Sequence, residues 1–474
     1  MRWFFVGVLG LAALVAWSEP AAAHAKAGAR LPKKRVRHST VVRHKTAPAP
    51  AGALSKAPDS EPEPIPAGEQ AVYWAQPSHS HAGVKIHLTP SLGATALGEI
   101  RGDTAVAVKL DAERAGGGCR SWLEVLPEGY LCQDEVQLRP GYLSDPPAQE
   151  KATAWQRLRY GVIKAASAAL ERAAGEPVGQ GGYLRSLLHR GDGITVIREL
   201  ADRVQIYGKQ WLRKMDVALV TPPALTPVNL QAVPPAQRFL LAWAVPPAGE
   251  SQVALYPPGG SQPVFIPRYS KLWWTDTKAS PGRVLVYLTE ETRAGLEAHP
   301  ETRAAAQAAA MEIDPTQLRR VTPTPFPDSL QPDERWIDIS LTEQVAVAYL
   351  GETPLLATLI STGKGTTPAG SFFIYRKYLS QTMANVRGAP SQYDFREVPY
   401  AQFFNGRIGL HAVLWHDLLG HPVSHGCVNM SPVAAEQFFS FTKPEMPAGW
   451  HTVNGLGPRA TSPTLRGTRV IVRR

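Results

Sequence analysis

Cysteine is scarce in this chain, with three among 474 residues: Cys119, Cys132 and Cys427. In an exported protein two should pair and the third needs a reason. Excess positive charge is also missing from most of the chain. The formal net charge is +10, but residues 1–60 hold ten Lys and Arg against two acids, leaving 40 bases against 38 acids in the rest. The rest of the chain is thus nearly neutral, and its net charge gives no nucleic-acid signal. The excess belongs to a tail rich in Ala, Pro, Lys and Arg, too poor in apolar residues to fold alone. It serves either as a contact to anionic wall or membrane surfaces or as a solvated tether. The apolar run Trp3–Trp17, behind Arg2, falls short of a bilayer span and has signal-peptide length. Ala21-Ala22-Ala23 and Ala23-His24-Ala25 offer cleavage patterns, and no cysteine follows to mark a lipoprotein. The expectation is export to the periplasm or cell-wall side, with no membrane span after signal cleavage.

The length predicts two to four domains. Residues 1–25 read as the signal peptide and 26–70 as a basic Pro/Ala-rich linker. From 71 to 140, short period-2 runs such as Val84-Lys85-Ile86-His87-Leu88 and Trp122-Leu123-Glu124-Val125-Leu126 predict a small β-barrel. The order Gly102-Asp103, Trp122, Gly129-Tyr130 resembles bacterial SH3-like modules. Residues 141–220 read as an Ala-rich helix, Trp155 to Ala174, followed by a possible second module. Residues 221–332 are Pro-rich and without assigned role, with strand Val284–Leu288 and a helix from Glu301 to Met311. Residues 333–450 form a β-rich domain in which Ser431-Pro432 caps a helix, and 451–474 a tail. Pairing of Cys119 with Cys132 would close a short loop and stabilise by roughly 3 kcal/mol. A hairpin at Pro127-Glu128-Gly129 places Cys132 near Leu123, so Gly116-Gly117-Gly118 would have to fold Cys119 back.

The chemistry concentrates in Ile408–Trp415 and Ser424–Met430. On a strand from 408, Ile408, Leu410, Ala412 and Leu414 share one face, and His411 lies on the other with Gly409. Ser424-His425-Gly426-Cys427 places an imidazole and a small residue directly before a thiol. The thiolate is the nucleophile, and a nearby imidazolium would lower its pKa and return a proton to the leaving amine. Gly426 lets the backbone approach a substrate carbonyl, so its N–H and that of Cys427 could line an oxyanion hole.

These residues resemble the L,D-transpeptidase catalytic domain of the YkuD type. The family's strand histidine is matched by His411, and its Ser/Thr-His-Gly-Cys-apolar-Asn/Arg signature by Ser424-His425-Gly426-Cys427-Val428-Asn429. Ser361-Thr362-Gly363 and Thr367-Pro368-Ala369-Gly370 match its STG and TPxG stretches, and Trp415 and Gly420 fit between the catalytic pieces. The resemblance implies a mostly β protein with a C-terminal β-sandwich-like catalytic domain preceded by small SH3-like modules. It implies that Cys427 attacks the bond between the diamino acid and D-alanine of a peptidoglycan stem tetrapeptide, leaving a thioester. A second stem's amine then completes a 3→3 cross-link. His411 would be the general base and acid, oriented by the backbone carbonyl of the following residue, here Ala412. His425, Gly426 and Ser424 would shape the oxyanion loop, Asn429 would fix the loop or bind substrate, and Trp415 would contact substrate. No metal and no cofactor are implied.

Four rival readings use the same residues. Water as acceptor would make an L,D-carboxypeptidase. A lapsed catalytic domain would leave a wall-binding scaffold. Zinc could draw on His411, His416, His421, His425 and Cys427, although their spacings match no common finger or zincin pattern. Cys427 could also be an inert buried thiol, against which its polar, His-flanked neighbourhood argues.

Overall fold

In a chain of short alternating runs, strands bury their apolar faces only by pairing and stacking on one another. The computed structural model describes residues 71–474 apart from 79–82, 103, 112–115, 144–158, 172–186, 207–209, 301, 309, 328–329, 386–392 and 457–465. The expected signal peptide and linker, 1–25 and 26–70, lie outside the described residues. Among the described residues no helix is long and apolar enough to cross a membrane.

The first β-unit comprises Ala71–Pro77, Gly83–His87, Ala96–Arg101, Val106–Asp111, Trp122–Val125, Tyr130–Cys132 and Val136–Tyr142. Its strands follow one another by antiparallel pairing, but no closed barrel forms among the described residues. The expected barrel stays open because Ala96–Arg101 pairs outward, Gly98 opposite Val453. The unit's core accordingly includes Trp450 and Val453 of the C-terminal domain. Cys119 and Cys132 form a disulfide with Cα atoms 5.8 Å apart. Cys132 lies opposite Trp122, and the turn closed by Gly116 and Cys119 folds the chain back.

The second unit corrects the sequence reading. Within the stretch read as a helix from Trp155 to Ala174, Arg159–Ile163 and Ser167–Ala169 are strands. Tyr160, Ile163, Ala168 and Leu170 are buried while Ser167 and Ala169 are exposed. Tertiary pairing has overridden the helix propensity of alanine. Gly193–Glu199 joins this unit to the C-terminal domain by parallel pairing, Gly193 with Phe395 and Ile194 with Arg396.

The Pro-rich middle is a domain with its own core. Five strands run in the order Met311–Ile313, Val284–Leu288, Lys271–Lys278, Leu241–Ala244, Leu318–Arg320. The helix here is Glu290–Glu297, started by Thr289, whose side chain accepts from the Thr292 N–H. The expected helix from Glu301 to Met311 shrinks to Arg303–Ala306, because Met311 enters the sheet opposite Val286.

The C-terminal domain is a two-sheet sandwich. One sheet has the order Val228–Asn229, Thr353–Leu359, Val345–Leu350, Arg335–Ser340, Arg469–Arg473, Gly370–Phe373. The other contains Thr452–Asn454, Arg376–Ala384, Asp394–Asn405, Ile408–Ala412 and Val428–Met430. Between them lie Ile337, Ile339, Ala346, Leu410, Val428 and Met430, closed by helix Pro432–Phe441 with Ser431 as its N-cap. The first sheet's other face, with Trp336, Val347 and Tyr349, packs on Trp243 and Val245 of the middle domain.

The last residues are not a tail. Arg469–Arg473 is an interior strand, parallel to Arg335–Ser340 and antiparallel to Gly370–Phe373. Arg473 Nε sits 2.9 Å from Asp338 Oδ1, a carboxylate only 1% exposed, and burial raises the pKa of Asp338 despite this partner. Ending the chain after Gly467 is therefore expected to abolish cooperative unfolding. Arg473→Ala should cost about 3 kcal/mol by stranding a buried charge. Denaturant melts of both variants check this, and full-length stability in the truncated chain would contradict it.

Candidate active site

Parallel pairing of Ile408–Ala412 with Val428–Met430 sets Leu410 beside Val428, His411 beside Asn429 and Ala412 beside Met430. Alternation sends Leu410, Ala412, Val428 and Met430 into the core. It turns His411, Asn429 and, two residues earlier, Cys427 to the opposite face. These three line a cleft of about 740 Å³ with Tyr393, Trp415 and His425. Cys427 is half-buried and reaches this cleft, so it is not an enclosed core thiol.

The strand-to-loop junction before Cys427 is braced from two sides. Ser424 Oγ accepts from the Gly426 N–H at 3.0 Å and donates to the Cys427 carbonyl at 2.6 Å. Thr367 Oγ1 accepts from the Gly363 N–H and donates to the Gly426 carbonyl, at 2.8 and 2.7 Å. Ser361 exchanges backbone hydrogen bonds with Asn429, and the Ser424 N–H donates to Thr362. The STG and TPxG stretches thus lie against the cysteine loop. Gly363 faces Gly426 so closely that a Cβ on it would lie 2.7 Å from Gly426 Cα. Gly426 has φ +144°, which side chains disfavour. The Gly426 N–H, expected to line an oxyanion hole, here donates to Ser424 Oγ.

The histidines separate by environment. His411 is buried, and its Nδ1 lies 2.9 Å from the Ala412 carbonyl. That bond places the proton on Nδ1 and leaves Nε2 as an acceptor. Burial pushes His411 down to about 4 against the opposing effect of this hydrogen bond, and neighbouring His416 lowers it further. Burial also lowers His416 to about 4. His416 Nε2 lies 3.0 Å from the Asn429 amide, and His421 Nε2 lies 2.9 Å from the Pro246 carbonyl. His425 is exposed and stacks on Tyr393. The five potential zinc ligands therefore have separate partners. Among the described residues only Cys119, Cys132 and Asp134 converge as a possible metal-binding group, and both of these cysteines are disulfide-bonded.

Burial raises the Cys427 thiol above its ordinary value, outweighing the Gly409 N–H and the Arg407 charge, which both lower it. Its Sγ lies 3.5 Å from the Arg407 carbonyl. Burial thus opposes the charged form of both groups, the thiolate of Cys427 and the imidazolium of His411.

Sequence reasoning missed the aromatic wall. Phe395 stacks on Trp415 with centroids 3.8 Å apart, and Tyr393 bridges Phe395 to His425. Gly193 of the second β-unit is pressed onto this wall, since a Cβ there would lie 2.3 Å from Phe395 Cδ1. Two residues on, Glu397 accepts from Arg101, Ser380 and Thr382, while Thr195 donates to its carbonyl. Burial pushes the Glu397 carboxyl up, yet Arg101, Ser380, His451 and Thr382 together hold it below its ordinary value. Only an alternation across Tyr393–Arg396 was available as a signal, and it does not reveal tertiary partners.

No curated protein matches this chain. Among solved structures, the catalytic domain of the E. faecium L,D-transpeptidase is 23% identical, covering 30% of this chain and 98% of its own, with TM-score 0.23. An L,D-transpeptidase from Mycobacterium smegmatis is 19% identical over 40% of this chain and 91% of its own, with TM-score 0.24. L,D-transpeptidase 3 from Mycobacterium tuberculosis, in complex with a faropenem-derived adduct, is 17% identical over 40% and 91%, with TM-score 0.23. Likenesses this low carry no argument about activity. The sequence match is more specific: residues 334–472, the sandwich with its helix and last strand, match the YkuD family model, the L,D-transpeptidase catalytic domain.

Proposed function

We propose that this chain is an exported peptidoglycan L,D-transpeptidase acting through a Cys427 thioester. The observation that carries the reading is that Cys427, just before strand Val428–Met430, and His411, on the parallel neighbour of that strand, line one cleft. The Cys427 sulfur attacks the carbonyl carbon between the diamino acid and the terminal D-alanine of a stem tetrapeptide, and its proton passes to His411 Nε2. Collapse breaks the C–N bond, and the departing D-alanine amine takes that proton back. An acceptor amine then attacks the thioester, loses its proton through His411, forms the new amide and releases the thiol. With a stem diamino acid as acceptor the product is a 3→3 cross-link. Arg376 and Arg407 line the same cleft and give it a charge complementary to the D-alanine carboxylate. The N-terminal β-units, which resemble SH3-like modules in sequence, are the candidates for wall contact.

Incubation of the mature protein with stem tetrapeptide is expected to release D-alanine and, with acceptor present, to yield the cross-linked dimer mass. Cys427→Ala should release none while keeping the wild-type melting temperature. Tripeptide as the sole product at every acceptor concentration would instead indicate the carboxypeptidase. D-Alanine release by Cys427→Ala would refute the mechanism.

The pKa directions fix the pH response. His411 accepts a proton only when neutral, and burial holds it at about 4, so kcat/KM should keep its plateau well below pH 6.5 and fall near pH 4. His411→Gln should lower kcat/KM about 10²- to 10⁴-fold. His411, His416 and His451 are all pushed to about 4 by burial, below the unfolded value. The unfolded chain then binds more protons between pH 6.5 and 4, so stability should decline across that window. A pH–rate profile with circular dichroism at each point checks both. An acid limb near 6.5 with the fold intact would contradict the assignment of His411.

A further inference from the structure

The middle domain has no place in the mechanism above, yet it holds the loop between the two catalytic strands. Tyr269 adopts φ +66°, a conformation that side chains other than glycine rarely take. That strain aims its hydroxyl at Asp417, 2.9 Å from Oδ1 and 3.1 Å from the backbone carbonyl. Arg268 pairs with Asp417 Oδ2, and its Nη1 donates to the Asp417 carbonyl at 3.2 Å. Further along the loop, Arg319 Nε donates to the Gly420 carbonyl at 2.7 Å, and His421 contacts the Pro246 carbonyl. The C-terminal domain adds the Ile360 carbonyl, which accepts from the Gly420 N–H, and Ser361, which donates to the His421 carbonyl.

What this clamp controls is the residue next to Asp417. His416 Nδ1 lies 3.3 Å from the Leu418 N–H, which donates to it. A neutral imidazole accepting at Nδ1 carries its proton on Nε2, which must donate. Its partner is the Asn429 amide, whose nitrogen would oppose it as a second donor and whose buried Oδ1 would then have no partner. Turning the amide by half a turn removes the donor–donor clash, because Oδ1 then accepts from His416 Nε2 and Nδ2 takes the buried position of Oδ1. Asn429 is 2% exposed and lines the cleft two residues after Cys427.

We propose that the middle domain positions the active site: Tyr269 and Arg268 fix Asp417, which seats His416 on Asn429 and so sets the direction in which the Asn429 amide donates. Tyr269, Arg268 and His416 are positioning residues, and this inference rests on reading the Cys427 cleft as the catalytic site. It identifies the class of contact the middle domain makes without requiring it to touch substrate.

A double-mutant cycle in the full mature chain tests it. Tyr269→Phe removes only the hydroxyl, and should lower kcat on stem tetrapeptide about ten-fold with the melting temperature unchanged. KM should stay within about two-fold. In a His416→Ala background the same change should alter kcat by less than about two-fold, because the route is already broken. Asp417→Asn serves as the second entry to the cycle should Tyr269→Phe fold poorly. Equal factors in both backgrounds, or an unchanged kcat in Tyr269→Phe and Asp417→Asn, would overturn the proposal. If wild-type protein turns over no stem peptide, the functional reading fails separately. The same cycle is then read as the rate of iodoacetamide alkylation of Cys427: interdependent rates support the positioning role and multiplicative or unchanged rates overturn it.

Discussion

The structure depends on one short parallel pairing, Leu410 beside Val428, inside an otherwise mostly antiparallel sheet. A slip of one residue would turn His411 and Asn429 into the core and Leu410 and Val428 out of it. The apolar set Leu410, Ala412, Val428 and Met430 therefore fixes the register, and the register delivers the chemistry. Parallel neighbours need a long connection. Here it is the segment 413–427, which carries Trp415, His416, His425 and Cys427 into the cleft.

Everything else secures that pairing and its connection. The STG and TPxG stretches brace the cysteine loop through Ser361, Gly363 and Thr367, and the middle domain clamps 417–421. Strand Asp394–Asn405 is gripped from both N-terminal units, by Arg101 on Glu397 and by Gly193 on Phe395. The units whose sequence resembles SH3-like modules are thus bound into the catalytic sheet by edge pairing. Burial by these neighbours also sets the electrostatics. It opposes the charged forms of both His411 and Cys427.

The segment that lines the cleft was legible in sequence because local order carries it: a strand histidine, then Ser424-His425-Gly426-Cys427, then an apolar–polar alternation. The helix start at Ser431-Pro432 was legible for the same reason, since capping is a short-range effect. What escaped was long-range. Arg159–Ile163 looked helical because alanines cluster nearby, and its strand state comes from partners at Gly193–Val196 and Val217–Val220. Arg469–Arg473 looked like a tail, and its interior place comes from a partner more than a hundred residues earlier. His416 was visible only as a metal-ligand candidate, because its partner Asn429 is set by the fold.

The most direct test of a reactive Cys427 in this cleft is the intact mass of the purified protein after incubation with a carbapenem, beside Cys427→Ala. The account predicts one covalent adduct of the drug's mass on the wild type and none on the folded variant. A wild-type protein that stays unmodified while folded, or an adduct that persists in Cys427→Ala, would contradict it.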